Sequence, residues 1–254
     1  MKRFLQLSVI LHLTRPKKIR PMRFLIILLL IPSIASSQTF FESVNQFLLD
    51  NVEDGKINYQ FLKDNPDNLD RIVLNISEFY LGNQGQDFNT AFYVNAYNML
   101  VIKQVRDNYP INSPLDVDGF FKTKTFTVAG ENLTLDQIEF EKLIGPTKDP
   151  RIHFALGCGA LSCPFLYDQA YTPDHLQQQL EFRAQLIIDR PNYVEVDKRT
   201  RKVVLNKIFD WYRDQFVFSE GSLINFINKY RFYSVPAGYD IEFQEYDWTL
   251  NAQE

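Results

Sequence analysis

Residues 91–109 read AFYVNAYNMLVIKQVRDNY, and this stretch decides the fold. It is apolar on nearly every face through most of its length, which is typical of a helix buried on all sides. Asn89 or Thr90 is the expected N-cap of this helix. Two amides, Asn95 and Asn98, lie three residues apart within it. Buried amides need hydrogen-bond partners, so the two are expected either to tie the helix to adjacent segments or to orient a catalytic group.

Shorter helices and hairpins are predicted on both sides of the central helix. The aromatic residues Trp211, Tyr212 and Phe216 fall at helical spacing and are predicted to belong to the core. Helices followed by a few antiparallel strands indicate an α+β fold, a single domain with a buried central helix packed on a small, mainly antiparallel sheet. The predicted elements are helices at residues 40–52, 69–80, 134–145, 208–216 and 223–230, a helix beginning at Thr172, a strand at 151–156, and hairpins at 125–135 and 194–205.

The N-terminal region has the three parts of a secretory signal peptide. The apolar run FLIILLLIPSI at residues 24–34 follows several basic residues and precedes the small residues Ala35-Ser36-Ser37. We therefore expect a signal peptide at residues 1–37, with Met22 as an alternative start, and one domain at residues 38–254. The expected location is periplasmic or secreted, and an uncleaved anchor is the alternative. The run is about half the roughly 20 residues of a membrane helix, so no stable span is expected after cleavage.

Charge and composition narrow the classes of partner. The chain has a formal net charge of −4, and removing residues 1–37 leaves 20 Lys and Arg against 31 Asp and Glu. A surface of that sign repels phosphate backbones, so nucleic acid is not an expected partner. The 22 Phe and 13 Tyr indicate a bulky aromatic core and suit a cleft for a peptide, a glycan or a small molecule. The oligomeric state is left open.

The strongest chemical signal is DPRIHFALGCGALSCP at residues 149–164. It brings together His153, Ser162 and the only two cysteines of the chain, Cys158 and Cys163. Glycines on both sides of Cys158 favour a sharp turn with uncovered backbone N–H groups, which suits a thiolate or an oxyanion. In the catalytic interpretation, Cys158 is the nucleophile and His153 takes its proton. Amides near Gly159, together with Ser162 and Cys163, then line the substrate or oxyanion position, and Asn95 or Asn98 orients the site.

Three other interpretations of the cysteines stay open. Cys158 and Cys163 can form a structural disulfide, which an oxidising compartment favours. They can hold zinc with His153 and either His175 or a carboxylate, although their spacing is not that of a familiar zinc pair. They can also be buried, unreactive thiols. An unbroken strand places His153 and Cys158 on opposite faces, so the dyad requires a bend at Gly157. No cofactor and no bound metal are predicted, and His175 is expected at the surface.

At these residues the chain resembles the DUF547 family, whose members have no assigned function. The resemblance therefore implies no activity. The matching stretches run in order over most of the chain and are Asp54-Gly55 with Asn58-Tyr59, AFYVNAYNML at residues 91–100, residues 149–164, Tyr171-Thr172, and VLNKIFDWY at residues 204–212. Between the cysteines, the bulky Leu161 departs from the small polar residues usual in the family.

A more distant likeness concerns the papain-like and transglutaminase-like thiol enzymes. A buried helix packed on a strand that begins with a histidine is similar to the arrangement in those enzymes. There the cysteine opens the central helix, whereas this helix offers Asn95. The likeness implies either that the nucleophile has moved to Cys158 or that the site only binds.

Two functions follow from these interpretations. The first is a cysteine-dependent hydrolase or transferase that acts on an amide or ester bond of an envelope or extracellular substrate. The second is a non-enzymatic peptide- or glycan-binding domain with a structural Cys158–Cys163 disulfide.

Overall fold

The computed structural model describes residues 31–253, with side chains from Thr39 onward. The predicted signal peptide, residues 1–37, therefore lies for the most part outside the described residues. The helices are α1 (Ile31–Asn51), α2 (Tyr59–Asp64), α3 (Asp67–Glu78), α4 (Gln86–Asn108), α5 (Leu135–Gln137), α6 (Gly145–Thr147), α7 (Leu176–Ile188), α8 (Ile208–Trp211), α9 (Arg213–Glu220) and α10 (Leu223–Tyr230). A π-helix at Ile138–Ile144 joins α5 to α6, and 3₁₀ helices lie at Pro114–Asp116 and Pro150–Phe154.

The central helix is α4, as predicted. Every residue from 90 to 102 is buried, and the neighbours that cover the helix include α1, α2, α3, α7 and the π-helix. The expected cap at Asn89 or Thr90 is wrong, because the helix begins at Gln86 with Gly85 as its N-cap. The additional first turn begins with the exposed Gln86 and Asp87, and Asp87 is favourably placed near the positive end of the helix dipole.

Short strands complete the fold. They are β1 (Val52–Glu53), β2 (Lys56–Ile57), β3 (Thr125–Val128), β4 (Glu131–Thr134), β5 (Val194–Asp197), β6 (Lys202–Leu205) and β7 (Asp240–Phe243). The first two pairs are antiparallel, and β6 pairs antiparallel with β5 and parallel with β7. Both predicted hairpins are confirmed. Helices combined with small, mainly antiparallel sheets confirm the α+β class.

The segment before the cysteines was predicted incorrectly. Residues 151–156 were expected to form a strand, but Pro150–Phe154 is a 3₁₀ helix. Asp149 caps it by accepting a hydrogen bond from the backbone N–H of Arg151 (3.0 Å), and Pro150 occupies its first turn. Ile152, His153 and Phe154 are all buried, so their apolar pattern does not reflect a two-faced strand. The helix packed on a histidine-led strand, on which the thiol-enzyme likeness rested, is therefore not present.

Two helix ends also differ from the prediction. The helix expected to begin at Thr172 begins at Leu176, with His175 as its exposed N-cap residue. The helix expected to close at Gly145-Pro146 continues through Thr147 and ends where Lys148 adopts a positive φ of 55°. A local turn at residues 172–175 accounts for the first difference, since the His175 N–H donates to the Thr172 carbonyl (3.1 Å).

The buried side chains form two hydrophobic clusters. The first surrounds α4, and the second is built from α7, the β5–β6 hairpin and α8 to α10. The cleft described below lies at their junction, since Tyr97 and Leu156 belong to the first cluster and Ile208 to the second. Within residues 31–253, no helix is both long enough and apolar enough to cross a membrane.

Candidate functional site

A cleft with an empty volume of about 570 Å³, including its open mouth, contains the predicted His153, Cys158 and Cys163. Two carboxylates, Asp136 and Glu139, also line it. The rest of the lining carries no Lys or Arg and is largely aromatic or aliphatic: Tyr97, Phe121, Leu156, Pro164, Ile208, Trp211, Tyr212, Tyr246 and Trp248. The cleft is therefore acidic and apolar.

Cys158 is a free, partly exposed thiol in this cleft. Its Sγ lies 3.3 Å from the hydroxyl oxygen of Tyr246. Burial raises the pKa of the Cys158 thiol, but hydrogen bonds with the Cys163 and Tyr246 side chains and with the Ala160 backbone outweigh burial and hold that pKa below its usual range. Donors aimed at the sulfur therefore favour the thiolate, the reactive form of cysteine.

Cys163 lies behind Cys158 and is only 7% exposed. Its Sγ accepts a hydrogen bond from the Cys158 backbone N–H and contacts the Leu156 carbonyl at 3.7 Å. Burial and the neighbouring Cys158 sulfur raise the pKa of the Cys163 thiol well above its usual range. The two cysteines therefore have opposite protonation preferences, although they lie in contact.

His153 is buried beside the same cleft but does not hydrogen-bond to Cys158. Its Nδ1 lies 3.3 Å from Glu139 Oε1, and its Nε2 lies 2.8 Å from Gln215 Oε1. The ring stacks on Tyr212 with 3.7 Å between ring centroids and 17° between ring planes. The structure thus brings the predicted base and nucleophile into one cleft, while both ring nitrogens of His153 have other partners.

Glu139, which sequence reasoning missed, connects several ionisable groups of the cleft. It contacts His153, and its negative charge adds to burial in raising the pKa of Tyr212. Burial, followed by the charge of Glu139, raises the pKa of Asp136. The two carboxylates lie three residues apart across the start of the π-helix, a spacing that places them near each other on a helical surface.

The two buried amides of α4 have different roles. Asn98 donates to the Ala155 carbonyl (3.0 Å) and accepts from the Gly157 N–H (2.9 Å), so it holds the turn that leads into Cys158. Asn95 instead donates to the Tyr171 carbonyl (2.7 Å) and accepts from the Tyr171 N–H (3.1 Å). The structure therefore brings Asn98 to the cysteine turn and uses Asn95 to anchor a different segment.

The turn after Cys158 requires a glycine. Gly159 has a φ of +84°, and a Cβ at this position would lie 3.3 Å from Pro114 Cγ. The Ala160 carbonyl accepts from the Cys163 N–H (3.1 Å), which closes the loop between the cysteines. Ser162 lies at the end of this loop and is not among the residues that line the cleft. Its Oγ instead accepts a hydrogen bond from the Asp247 N–H (2.9 Å).

A C-terminal strap, defined as residues 246–253, covers the cysteine loop. Its backbone pairs with Leu161 and Ser162, and the Asn251 N–H donates to the Gly159 carbonyl (2.8 Å). Its end is fixed to the β2 strand, because the Gln253 N–H donates to the Ile57 carbonyl (3.0 Å). The strap holds Tyr246 against Cys158. Sequence reasoning did not single it out, because its apolar residues, Tyr246, Trp248 and Leu250, follow no helical periodicity.

An aromatic wall, defined as Phe121, Trp211, Tyr246 and Trp248, flanks the cleft. The ring centroids of Tyr246 lie 4.6 Å from Trp211 and 4.7 Å from Trp248, and Phe121 lies 6.3 Å from Trp248. Trp211 is 47% exposed, so its assignment to the core is wrong. Tyr212 lines the cleft as well, whereas Phe216 is fully buried as predicted.

The zinc interpretation of the cysteines requires a cluster of metal-ligating side chains, which the described residues do not provide. No group of three or more His, Cys, Asp or Glu side chains among those residues could hold a metal ion. His175 does not line the cleft, and its Nδ1 pairs instead with the Thr172 hydroxyl (3.1 Å).

Comparison with known proteins gives a match to one family model. Searches of curated proteins and of solved structures returned no match. The matched region runs from just before α4 through most of α7, and it includes His153, Cys158 and Cys163 but not the strap or Trp211. Residues 83–186, the part of the chain that carries the central helix and both cysteines, match the family described as "Protein of unknown function, DUF547".

Proposed function

We propose that the cleft is the active site of a cysteine-dependent hydrolase or transferase that acts on an amide or ester bond. The observation that carries this proposal is the environment of Cys158, a free thiol open to the cleft whose pKa is lowered by hydrogen bonds from Tyr246, Cys163 and the Ala160 backbone. A lowered pKa increases the fraction of Cys158 present as thiolate, the form that attacks a carbonyl carbon.

The reaction begins when the Cys158 thiolate attacks the carbonyl carbon of the substrate. A C–S bond forms, and the carbonyl oxygen becomes an oxyanion. The Tyr246 hydroxyl, whose pKa is raised by burial and by the two cysteines, keeps its proton and can donate to that oxyanion. Expulsion of the alcohol or amine leaves a thioester on Cys158. Water, or another nucleophile in a transferase, then displaces the sulfur.

Proton transfer is assigned to the Glu139–His153 pair. The leaving group must gain a proton, and the incoming nucleophile must lose one. For His153 to exchange protons with the cleft, its Nε2 hydrogen bond to Gln215 must first break. Glu139 then stabilises the imidazolium through Nδ1.

The aromatic wall indicates which substrates the cleft can bind. Half-exposed rings such as Trp211 provide apolar faces for a peptide side chain, a sugar ring or a small acyl group. We further propose that the substrate belongs to the envelope or the extracellular medium. The signal-peptide pattern of residues 1–37 supports that location, and N-terminal sequencing of the protein isolated from its native cells would test it.

Trapping the acyl-enzyme tests the function. After brief exposure to p-nitrophenyl acetate, we expect one acetyl group on Cys158, released over time as turnover continues. The Cys158→Ala variant should form no such adduct, whereas Leu161→Ala, which alters an exposed side chain in the same loop, should acylate normally. Equal turnover by Cys158→Ala and the unaltered chain would rule out the thiol mechanism.

A binding domain without catalysis is the second candidate. The observation in its favour is that His153 pairs with Glu139 and Gln215 rather than with Cys158. In that case Cys158 and Cys163 form a structural disulfide, and the aromatic wall binds a peptide or glycan without altering it. A protein isolated without reductant that lacks two hydrogens, and whose disulfide persists in excess dithiothreitol, would support this candidate.

A further inference from the structure

Cys158 and Cys163 form an asymmetric pair. They are the only cysteines of the chain, and both are free. Both line the cleft, but Cys158 is partly exposed whereas Cys163 is only 7% exposed. The Cys158 N–H donates to Cys163 Sγ (2.7 Å), which places the second sulfur against the backbone of the first cysteine. Acyl transfer uses Cys163 only as a hydrogen-bond partner that lowers the pKa of Cys158, so it gives no reason for that partner to be a second thiol.

The loop between them is built to hold the sulfurs together. The left-handed Gly159 reverses the chain, and the Cys163 N–H donates to the Ala160 carbonyl (3.1 Å). Backbone hydrogen bonds from Leu161 and Ser162 to the strap then fix the outer side of the loop. Because Cys158 is the more exposed of the two thiols, a reagent in the cleft reaches it first.

We propose that Cys158 and Cys163 are a redox-active dithiol that reduces small disulfides, with Cys158 as the attacking thiol and Cys163 as the resolving thiol. This activity goes beyond the proposed acyl transfer and uses the same nucleophile. The opposed protonation preferences of the two thiols agree with these roles, because the attacking sulfur must be a thiolate and the resolving sulfur must stay protonated until its turn.

The exchange balances in two steps. The Cys158 thiolate attacks one sulfur of the substrate disulfide, so a mixed disulfide forms and one substrate thiolate leaves, taking the proton of Cys163. The Cys163 thiolate then attacks Cys158 Sγ, which forms the Cys158–Cys163 disulfide and expels the second substrate thiolate to be protonated by solvent. The substrate disulfide gains two electrons and the protein dithiol loses two. A small dithiol such as dithiothreitol returns the protein to its starting state.

The cleft sets the kind of disulfide that can enter. Asp136 and Glu139 line it with no Lys or Arg, so neutral or cationic molecules are favoured over anionic ones. Hydroxyethyl disulfide is neutral and small, and is the probe we would use.

The test is the stoichiometry of thiol release, followed with the mass of the reduced full chain. One equivalent of hydroxyethyl disulfide should release two equivalents of mercaptoethanol and leave the protein two hydrogens lighter, with no adduct. Cys163→Ala should release only one equivalent and remain as a mixed disulfide on Cys158. The control Leu161→Ala, which changes an exposed side chain between the two cysteines, should release two.

An unaltered chain that stops at a stable mixed disulfide, or does not react, would overturn the inference. The two proposals can fail separately. If Cys158 takes an acetyl group from p-nitrophenyl acetate but the exchange stops halfway, the redox inference fails and acyl transfer stands. If the exchange completes and no acyl adduct forms on Cys158, the redox inference stands and the proposed function fails.

Discussion

Cys158 owes its environment to one neighbour in sequence and to residues from two distant segments. Asn98 in α4 holds the preceding turn, Cys163 lies behind the sulfur, and Tyr246 reaches it from the C-terminal strap. The glycines around Cys158 were enough to predict a sharp turn. Tyr246 could not be predicted, because a contact between residues 88 positions apart has no local signal.

Removing the Tyr246 hydroxyl should make Cys158 less acidic. The hydrogen bond from that hydroxyl stabilises the thiolate more than the thiol, so Tyr246→Phe should move the alkylation midpoint of Cys158 to higher pH. The rate of iodoacetamide labelling as a function of pH measures the change. Tyr233→Phe removes a hydroxyl from an exposed tyrosine and is the matched control, expected to leave the midpoint where it was. An unchanged midpoint in Tyr246→Phe would remove Tyr246 from the site.

At the scale of elements, α4 was predictable because its apolar residues cover every face. The 3₁₀ helix at Pro150–Phe154 was not, since three consecutive buried residues were mistaken for the inner face of a strand. Its start did carry a signal, an aspartate cap followed by proline at residues 149 and 150. The strap was missed because backbone hydrogen bonds to other loops, rather than a periodic pattern, hold it in place.

The two amides of α4 allow a matched test of how this helix positions the site. Asn98→Ala and Asn95→Ala each leave buried backbone groups unpaired, so each should cost about 1 to 3 kcal/mol of unfolding free energy in urea. Only Asn98→Ala should also slow alkylation of Cys158, because Asn98 alone bonds to the turn before the cysteine. Equal slowing in both variants would mean that the loss of reactivity reflects general destabilisation.

The cleft forms at the scale of the whole molecule, where two hydrophobic clusters meet. Sequence reasoning placed His153, Cys158 and Cys163 together because they lie within eleven residues of one another. It could not place Glu139, Trp211 or Trp248 beside them, since those contacts depend on how the clusters pack. The composition gives the net negative charge of the chain, but it does not show that Asp136 and Glu139 lie in the same cleft as Cys158.

The negative charge of the cleft should make the reaction rate of Cys158 depend on the charge of the thiol reagent. With no Lys or Arg in the lining, Cys158 should react faster with cationic aminoethyl methanethiosulfonate than with the anionic sulfonatoethyl reagent. The initial rate with the cationic reagent divided by that with the anionic reagent should be roughly tenfold higher for the folded chain than for the urea-unfolded chain. A tenfold difference corresponds to about 1.4 kcal/mol. Asp136→Asn should reduce the ratio, whereas Glu195→Gln, on an exposed position of β5, should not. Equal ratios for the folded and unfolded chains would contradict an acidic cleft.

The proposed chemistry depends above all on Cys158 being an ionised thiol in the folded protein. The most direct measurement is the pH dependence of iodoacetamide labelling of the reduced chain between about pH 5 and 9, with the labelled residue identified by mass spectrometry. Because the pKa of Cys158 is lowered and that of Cys163 is raised, a single adduct should form on Cys158 with a midpoint below the free value of about 8.5. Labelling of both cysteines together, or of Cys158 with a midpoint at or above that value, would contradict it.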